Sequence, residues 1–145
     1  MPQMTTFVLH PRLAADTIVL GRLRLSLLLL MNDATYPWFI LVPERMEARE
    51  IFELAETDRL ALTEEVALLS RALWEVFRPD KLNVATLGNL VPQLHVHVIA
   101  RFRSDSAWPD PVWGKADARP YAEAALRTMR ARMADGLGGS LLPAH

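Results

Sequence analysis

The stretch "LVPQLHVHVIARF", residues 90–102, holds two of the chain's four histidines, two positions apart in an apolar run. On a β-strand, side chains two apart point the same way and stand roughly 6.7 Å from each other. His95 and His97 therefore share a face with Gln93, while Leu94, Val96 and Val98 point to the opposite side and are free to enter a core. The polar face is the one left free to work. Upstream, "GNLVPQ" (88–93) reads as an irregular entry marked by Gly88 and Pro92, and "KLNVATL" (81–87) as a neighbouring strand.

Working outward, "DTIVLGRLRLSLLLLMND" (16–33) begins with a β-branched trio, is expected to turn at Gly21, and then alternates from Arg22 to Leu27 with the two-residue period of a half-buried strand. This reads as a hairpin whose second arm runs into the middle of a sheet and ends at Asn32 and Asp33. "WFILVP" (38–43) is a further strand, closed by Pro43, which has no N–H for a ladder. From Thr57 the period changes: Leu62, Val66, Leu69, Leu73 and Val76 recur at alternating spacings of four and three, with Glu64, Glu65, Arg71 and Glu75 elsewhere on the helix. Thr57 or Asp58 is a plausible N-cap, and "RPD" (78–80) stops this helix, which must lay its stripe on the sheet. "SDSAWPDPVWGKADARP" (104–120) is loop by its prolines and glycine, residues 121–134 form a second amphipathic helix, and 136–145 is a flexible tail whose "LL" has the character of a docking point. The predicted fold is α+β: one domain over residues 1–145, with an antiparallel sheet of about five strands, a long central helix and a C-terminal helix.

The totals agree with one globular domain, since 51% of the 145 residues are apolar and 23% charged. Sixteen Lys and Arg stand against seventeen Asp and Glu, so no global basic field exists to hold a nucleic acid, although a few local donors suffice for a phosphate-bearing small ligand. The lack of cysteine excludes thiolate metal ligands and disulfides and agrees with a cytoplasmic location. The longest apolar run, "LSLLLLM" (25–31), is far shorter than the roughly 20 residues of a membrane-spanning helix, and the N-terminus lacks the order of a signal peptide, so a soluble intracellular protein is expected.

Three readings compete for the histidine pair: ordinary hydrogen-bonded imidazoles, part of a zinc or iron site, or nucleophilic catalysis at phosphorus with one imidazole attacking and the other steadying charge. A metal needs a third ligand, and the remaining histidines, His10 and His145, lie near the termini with no carboxylate in the motif strand. "GNLVPQLHVHVIAR" (88–101) resembles the signature of the histidine triad (HIT) superfamily of nucleotide hydrolases and transferases, His-x-His-x-His followed by two apolar residues and preceded by Gly and an amide residue. Here the triad stands as Gln93, His95 and His97, with Gly88 and Asn89 as the upstream pair. The order of elements over roughly residues 15–103 matches as well.

The resemblance implies that His95 is the nucleophile on the α-phosphorus of a nucleotidyl compound, that His97 donates to a phosphate oxygen or the leaving group, and that Asn89 holds an oxygen. A neighbour touching anionic oxygens is expected to be pulled toward its charged form, while His95 attacks unprotonated. It also implies a ribose contact from Asn32, with Asp33 the alternative; Asn83 is a candidate for facing the phosphates. No metal or cofactor is required. The implied ligand is a purine nucleotide or dinucleoside polyphosphate, or a nucleoside phosphoramidate, and the implied assembly is a homodimer. Departures are visible. Gln93 replaces the first histidine, but the main-chain carbonyl there, which steers the nucleophile in the family, survives any side-chain change. Trp38 stands where many members carry a further histidine, and its replacement together with Gln93 suggests a repacked pair. Leu90 stands where many carry a hydroxyl. These departures motivate an alternative, a nucleotide-binding or partner-binding protein of weak turnover. Arg101 is expected in a surface ion pair, and Trp108 and Trp113 are candidates for covering a base, a partner or their own domain.

Overall fold

The computed structural model describes residues 6–145. Its elements, in chain order, are α1 (Pro11–Asp16), β1 (Thr17–Arg22), β2 (Ser26–Met31), β3 (Trp38–Pro43), α2 (Glu56–Phe77), β4 (Lys81–Ala85), β5 (Val96–Arg101) and α3 (Glu123–Leu137), with short 3-10 turns at Ile51–Glu53 and Gly138–Ser140. The five strands form one antiparallel sheet in the order β1-β2-β3-β5-β4. The α+β reading of the sequence therefore stands.

The strand period of two separates the sheet's faces. Leu28, Leu30, Phe39, Leu41 and Val98 point to one side, where Leu69, Ala72 and Leu73 of α2 and Met129, Met133 and Leu137 of α3 bury them. Each such leucine contributes about 1.5–3 kcal/mol by leaving water. Arg78, in the left-handed conformation at φ 51°, caps α2, and Pro79 follows it. The opposite face carries Leu29, Trp38, Ile40, Val42 and Ile99, under the N-terminal segment and the long loop before α3.

Several expectations are corrected. The hairpin does not turn at Gly21; β1 runs through it with a bulge between Val19 and Gly21, and the turn falls at 23–25. Glycine is needed there for another reason: a Cβ would stand 2.5 Å from the Leu142 carbonyl oxygen. That oxygen accepts from Arg22 N at 2.9 Å while Leu142 N donates to the Arg22 carbonyl at 2.8 Å, so the tail expected to be flexible is paired to β1 at this point. The second helix extends to Leu137 rather than 134. Glu65, off the apolar stripe of α2, is nevertheless buried: its carboxylate accepts the Leu25 N–H at 2.7 Å and so satisfies the β1–β2 turn. The strand bearing the motif starts at Val96, one residue after His95.

Candidate active site

His95 and His97 lie on the face away from α2, as alternation required, and their rings meet edge-on with centroids 5.0 Å apart. Register sets their neighbours. His97 is opposite Ile40, so Trp38, two residues back on β3 and opposite Ile99, sits diagonally from it on the same face. Diagonal pairs are within reach of long aromatic side chains. The Trp38 indole N–H donates to His97 Nδ1 at 2.9 Å. An indole can only donate, so Nδ1 of His97 is the bare nitrogen and Nε2 carries the proton of the neutral ring.

His95 is held the other way round. Its Nδ1 lies 2.7 Å from the Gln93 carbonyl, which can only accept, so Nδ1 carries the proton and Nε2 keeps its lone pair. The two rings are thus opposite tautomers: one offers a lone pair, the other an N–H. The Gln93 carbonyl performs the steering that the resemblance implied.

The polar face is not left open. His95 is 6% exposed and His97 4%, and Trp113 lays its edge on both His97, at 5.0 Å between centroids, and Trp38, at 5.5 Å. Burial first, and then the charge of His95, push the His97 pKa down to about 3. His97 is therefore neutral at physiological pH in this structure.

The Gln93 side chain serves the N-terminal segment. Its carbonyl accepts from His10 N at 2.8 Å and its amide donates to the Val8 carbonyl at 3.0 Å, pinning that stretch beside the motif. Trp38 bonds to His97 instead, so the two family departures are not hydrogen-bonded to each other. Asn32 accepts from Tyr121 N at 2.9 Å and lines a cavity of about 490 Å³ with Arg12, Asp16, Trp38 and Trp113. Asp33 also borders it, but Asp33 is buried and its Oδ1 accepts from Thr35 N and Arg119 N, fastening the turn. Asn89 is exposed on the loop after β4, beside Gly88 at φ 74° and Leu90, which is 76% exposed. A larger cavity, about 710 Å³, is bounded by α2, the β1–β2 turn and the tail, and none of its lining residues belongs to the motif.

Asn83 faces Arg101, whose Nη1 donates to its Oδ1 at 2.8 Å. Arg101 is not in a surface pair as expected. It is 1% exposed, forks onto Asp105 at 2.9 and 3.1 Å and donates to the Asp110 carbonyl at 2.8 Å, with Tyr36 and Trp108 rings beside the guanidinium. Burial alone would raise the Asp105 pKa, but hydrogen bonds from Arg101 and from the Phe102 and Trp108 amides hold it below the usual carboxylate value. This network ties the long loop to the end of β5. The run "RFRSD" (101–105) was its visible signal; the role of residues 8–10 had none, being more than eighty positions from Gln93. Trp113 packs on its own domain. Among the described residues no group of three or more His, Cys, Asp or Glu converges in a way that would hold a metal ion.

The family model "HIT domain" matches residues 12–104, more than half of the chain. A histidine triad protein from Marinobacter aquaeolei VT8 is 48% identical with a TM-score of 0.91, the match covering 94% of this chain and 99% of that one. One from Sinorhizobium meliloti 1021 is 47% identical with a TM-score of 0.90, covering 93% and 100%. One from Bradyrhizobium japonicum is 45% identical with a TM-score of 0.90, covering 92% and 99%. No curated protein matches the chain. The paired imidazoles on one strand, the sheet order and these relatives lead to one statement: the chain belongs to the HIT, or histidine triad, family.

Proposed function

We propose that the protein is a nucleotide-binding hydrolase that cleaves nucleotidyl compounds at the α-phosphate, with dinucleoside polyphosphates and nucleoside phosphoramidates as its substrate classes. The observation that carries this reading is the opposed tautomers. Held by the Gln93 carbonyl at 2.7 Å, His95 presents an Nε2 lone pair without having to lose a proton first. It attacks phosphorus, the leaving group departs with its electron pair, and water then opens the nucleotidyl-imidazole. The positive charge gained by the imidazole in between is steadied at Nδ1–H by the same carbonyl. His97 Nε2–H, on the adjacent ring, donates to a phosphate oxygen. In this reading Asn32, on the wall of the 490 Å³ cavity that also touches Trp38 and Trp113, binds the ribose, and Asn89, at the upstream amide position of the motif, binds a phosphate oxygen.

The test is hydrolysis of diadenosine tetraphosphate and of adenosine 5′-phosphoramidate by wild type and His95→Asn. The variant is expected to lose about 10³-fold or more in kcat/KM. Equal rates reject the hydrolase. A second reading, nucleotide binding with slow turnover, is favoured by the 6% exposure of His95, which leaves little of the ring open; calorimetric binding of AMP with no cleavage selects it. We extend the proposal to a homodimer, supported by the outer edge of β4, unpaired among the described residues, with the exposed Val84 on it and Leu87 just after it; light scattering measures the assembly, and the proposed location is the cytoplasm.

A further inference from the structure

We propose that Trp38 is a positioning residue that locks His97 as a neutral Nε2–H donor, and that the site consequently selects substrates whose leaving group departs as an anion, phosphoric anhydrides over phosphoramidates. The inference rests on the hydrolase reading above and chooses between its two substrate classes.

Protonating His97 would place an N–H on Nδ1, facing the Trp38 indole N–H across 2.9 Å, and two donors cannot share that gap. The ring has no room to turn away, since it is 4% exposed and Trp113 stands edge-on to it at 5.0 Å. The groups around it do not supply a compensating negative charge. Along its own segment the titratable neighbours are His95, just before β5, and, four residues along the strand, Arg101, which is ion-paired with Asp105; Trp38 from β3 and Trp113 from the loop bring aromatic rings, and the residues opposite it in the sheet are Ile40 and Ala85. The depressed basicity of His97 agrees with this.

A neutral imidazole N–H gives a hydrogen bond but not a proton. When His95 Nε2 forms its bond to the α-phosphorus, the scissile bond breaks and its electron pair goes to the leaving atom. A phosphate oxygen accepts that pair as a stable anion, its last proton having a pKa near ~6. An amine nitrogen does not; it must receive a proton as the P–N bond breaks, and a locked His97 cannot deliver one. In the second step water adds to phosphorus, its proton passes to solvent, and the pair returns to His95.

Cleavage of diadenosine tetraphosphate and of adenosine 5′-phosphoramidate is to be measured from about pH 5 to pH 9 for wild type, Trp38→His and Trp38→Phe, with ¹⁵N NMR of the His97 ring. Wild type is expected to favour the anhydride by about 10²-fold or more, the scale of general-acid catalysis, with His97 Nδ1 unprotonated throughout. Trp38→His, which offers an acceptor to Nδ1–H, is expected to shrink the ratio at least about tenfold and to give phosphoramidate cleavage an acid limb. Near-equal rates in wild type, or a ratio and tautomer unmoved in both variants, overturn the proposal while leaving the hydrolase intact. Absence of any cleavage in wild type rejects the hydrolase and the preference with it; the NMR spectrum of wild type, which needs no variant to fold, still decides the lock, and a His97 that protonates at Nδ1 near neutrality overturns it.

Discussion

The two faces of one sheet are built on different physics. Against α2, Leu28, Leu30, Phe39, Leu41 and Val98 meet Leu69 and Leu73, and any side chain of suitable volume contributes there by leaving water. On the histidine face the cover is irregular chain, and its polar groups are satisfied one by one: His95 by the Gln93 carbonyl, His97 by Trp38, Arg101 by Asp105, Asn83 and Asp110. The first face is tolerant because dispersion and burial are non-directional. The second is intolerant because a buried donor without its acceptor loses its hydration and gains nothing.

That contrast can be broken most forcefully at Arg101. Arg101→Ala leaves Asp105 buried and unpaired and is expected to destabilise by about 3–5 kcal/mol in urea unfolding; a loss under about 1 kcal/mol would mean that the loop is held by something else. On the other face, Leu73→Ala is expected to lose about 2–5 kcal/mol, while Leu73→Met stays within about 1.5 kcal/mol, so the tolerance itself is measured. The pH response sharpens the comparison further. His97 has a folded pKa lowered to about 3 from 6.5, so the unfolded chain binds the proton more readily and stability falls as pH drops through that window. Asp105, also depressed, adds to the acid loss at the lower end. His97→Gln is expected to flatten the stability profile between about pH 6 and pH 4, and an unchanged slope there would assign it to other groups. The smallest effect is at Gln93: Gln93→Ala removes two hydrogen bonds and is expected to lose about 1–3 kcal/mol, with faster amide exchange at residues 8–10 and little change elsewhere.

Much of the fold was legible before any coordinates. The period of two in "LHVHVIAR" and "WFILVP" and the four-three stripe from Leu62 to Val76 placed the central strands and α2 within a residue or two. What was misread has a common cause. Gly21 was read as a turn because local propensity sees only neighbours, whereas its requirement comes from Leu142, over a hundred residues away. Glu65 was read only as lying off the apolar stripe, because the stripe says nothing about the N–H at Leu25 that it satisfies. Arg101 was read as a surface charge because alternation gives its face but not what covers that face.

By itself, the sequence determined which side chains share a face and that two imidazoles stand together on one strand, since both follow from backbone periodicity and nearest-neighbour spacing. Only the tertiary structure decided which nitrogen of His97 holds the proton. The carbonyl that sets the His95 tautomer is two residues back along the chain, but the indole that sets His97 belongs to Trp38, tens of residues away, and is brought into line by strand register rather than by any local pattern.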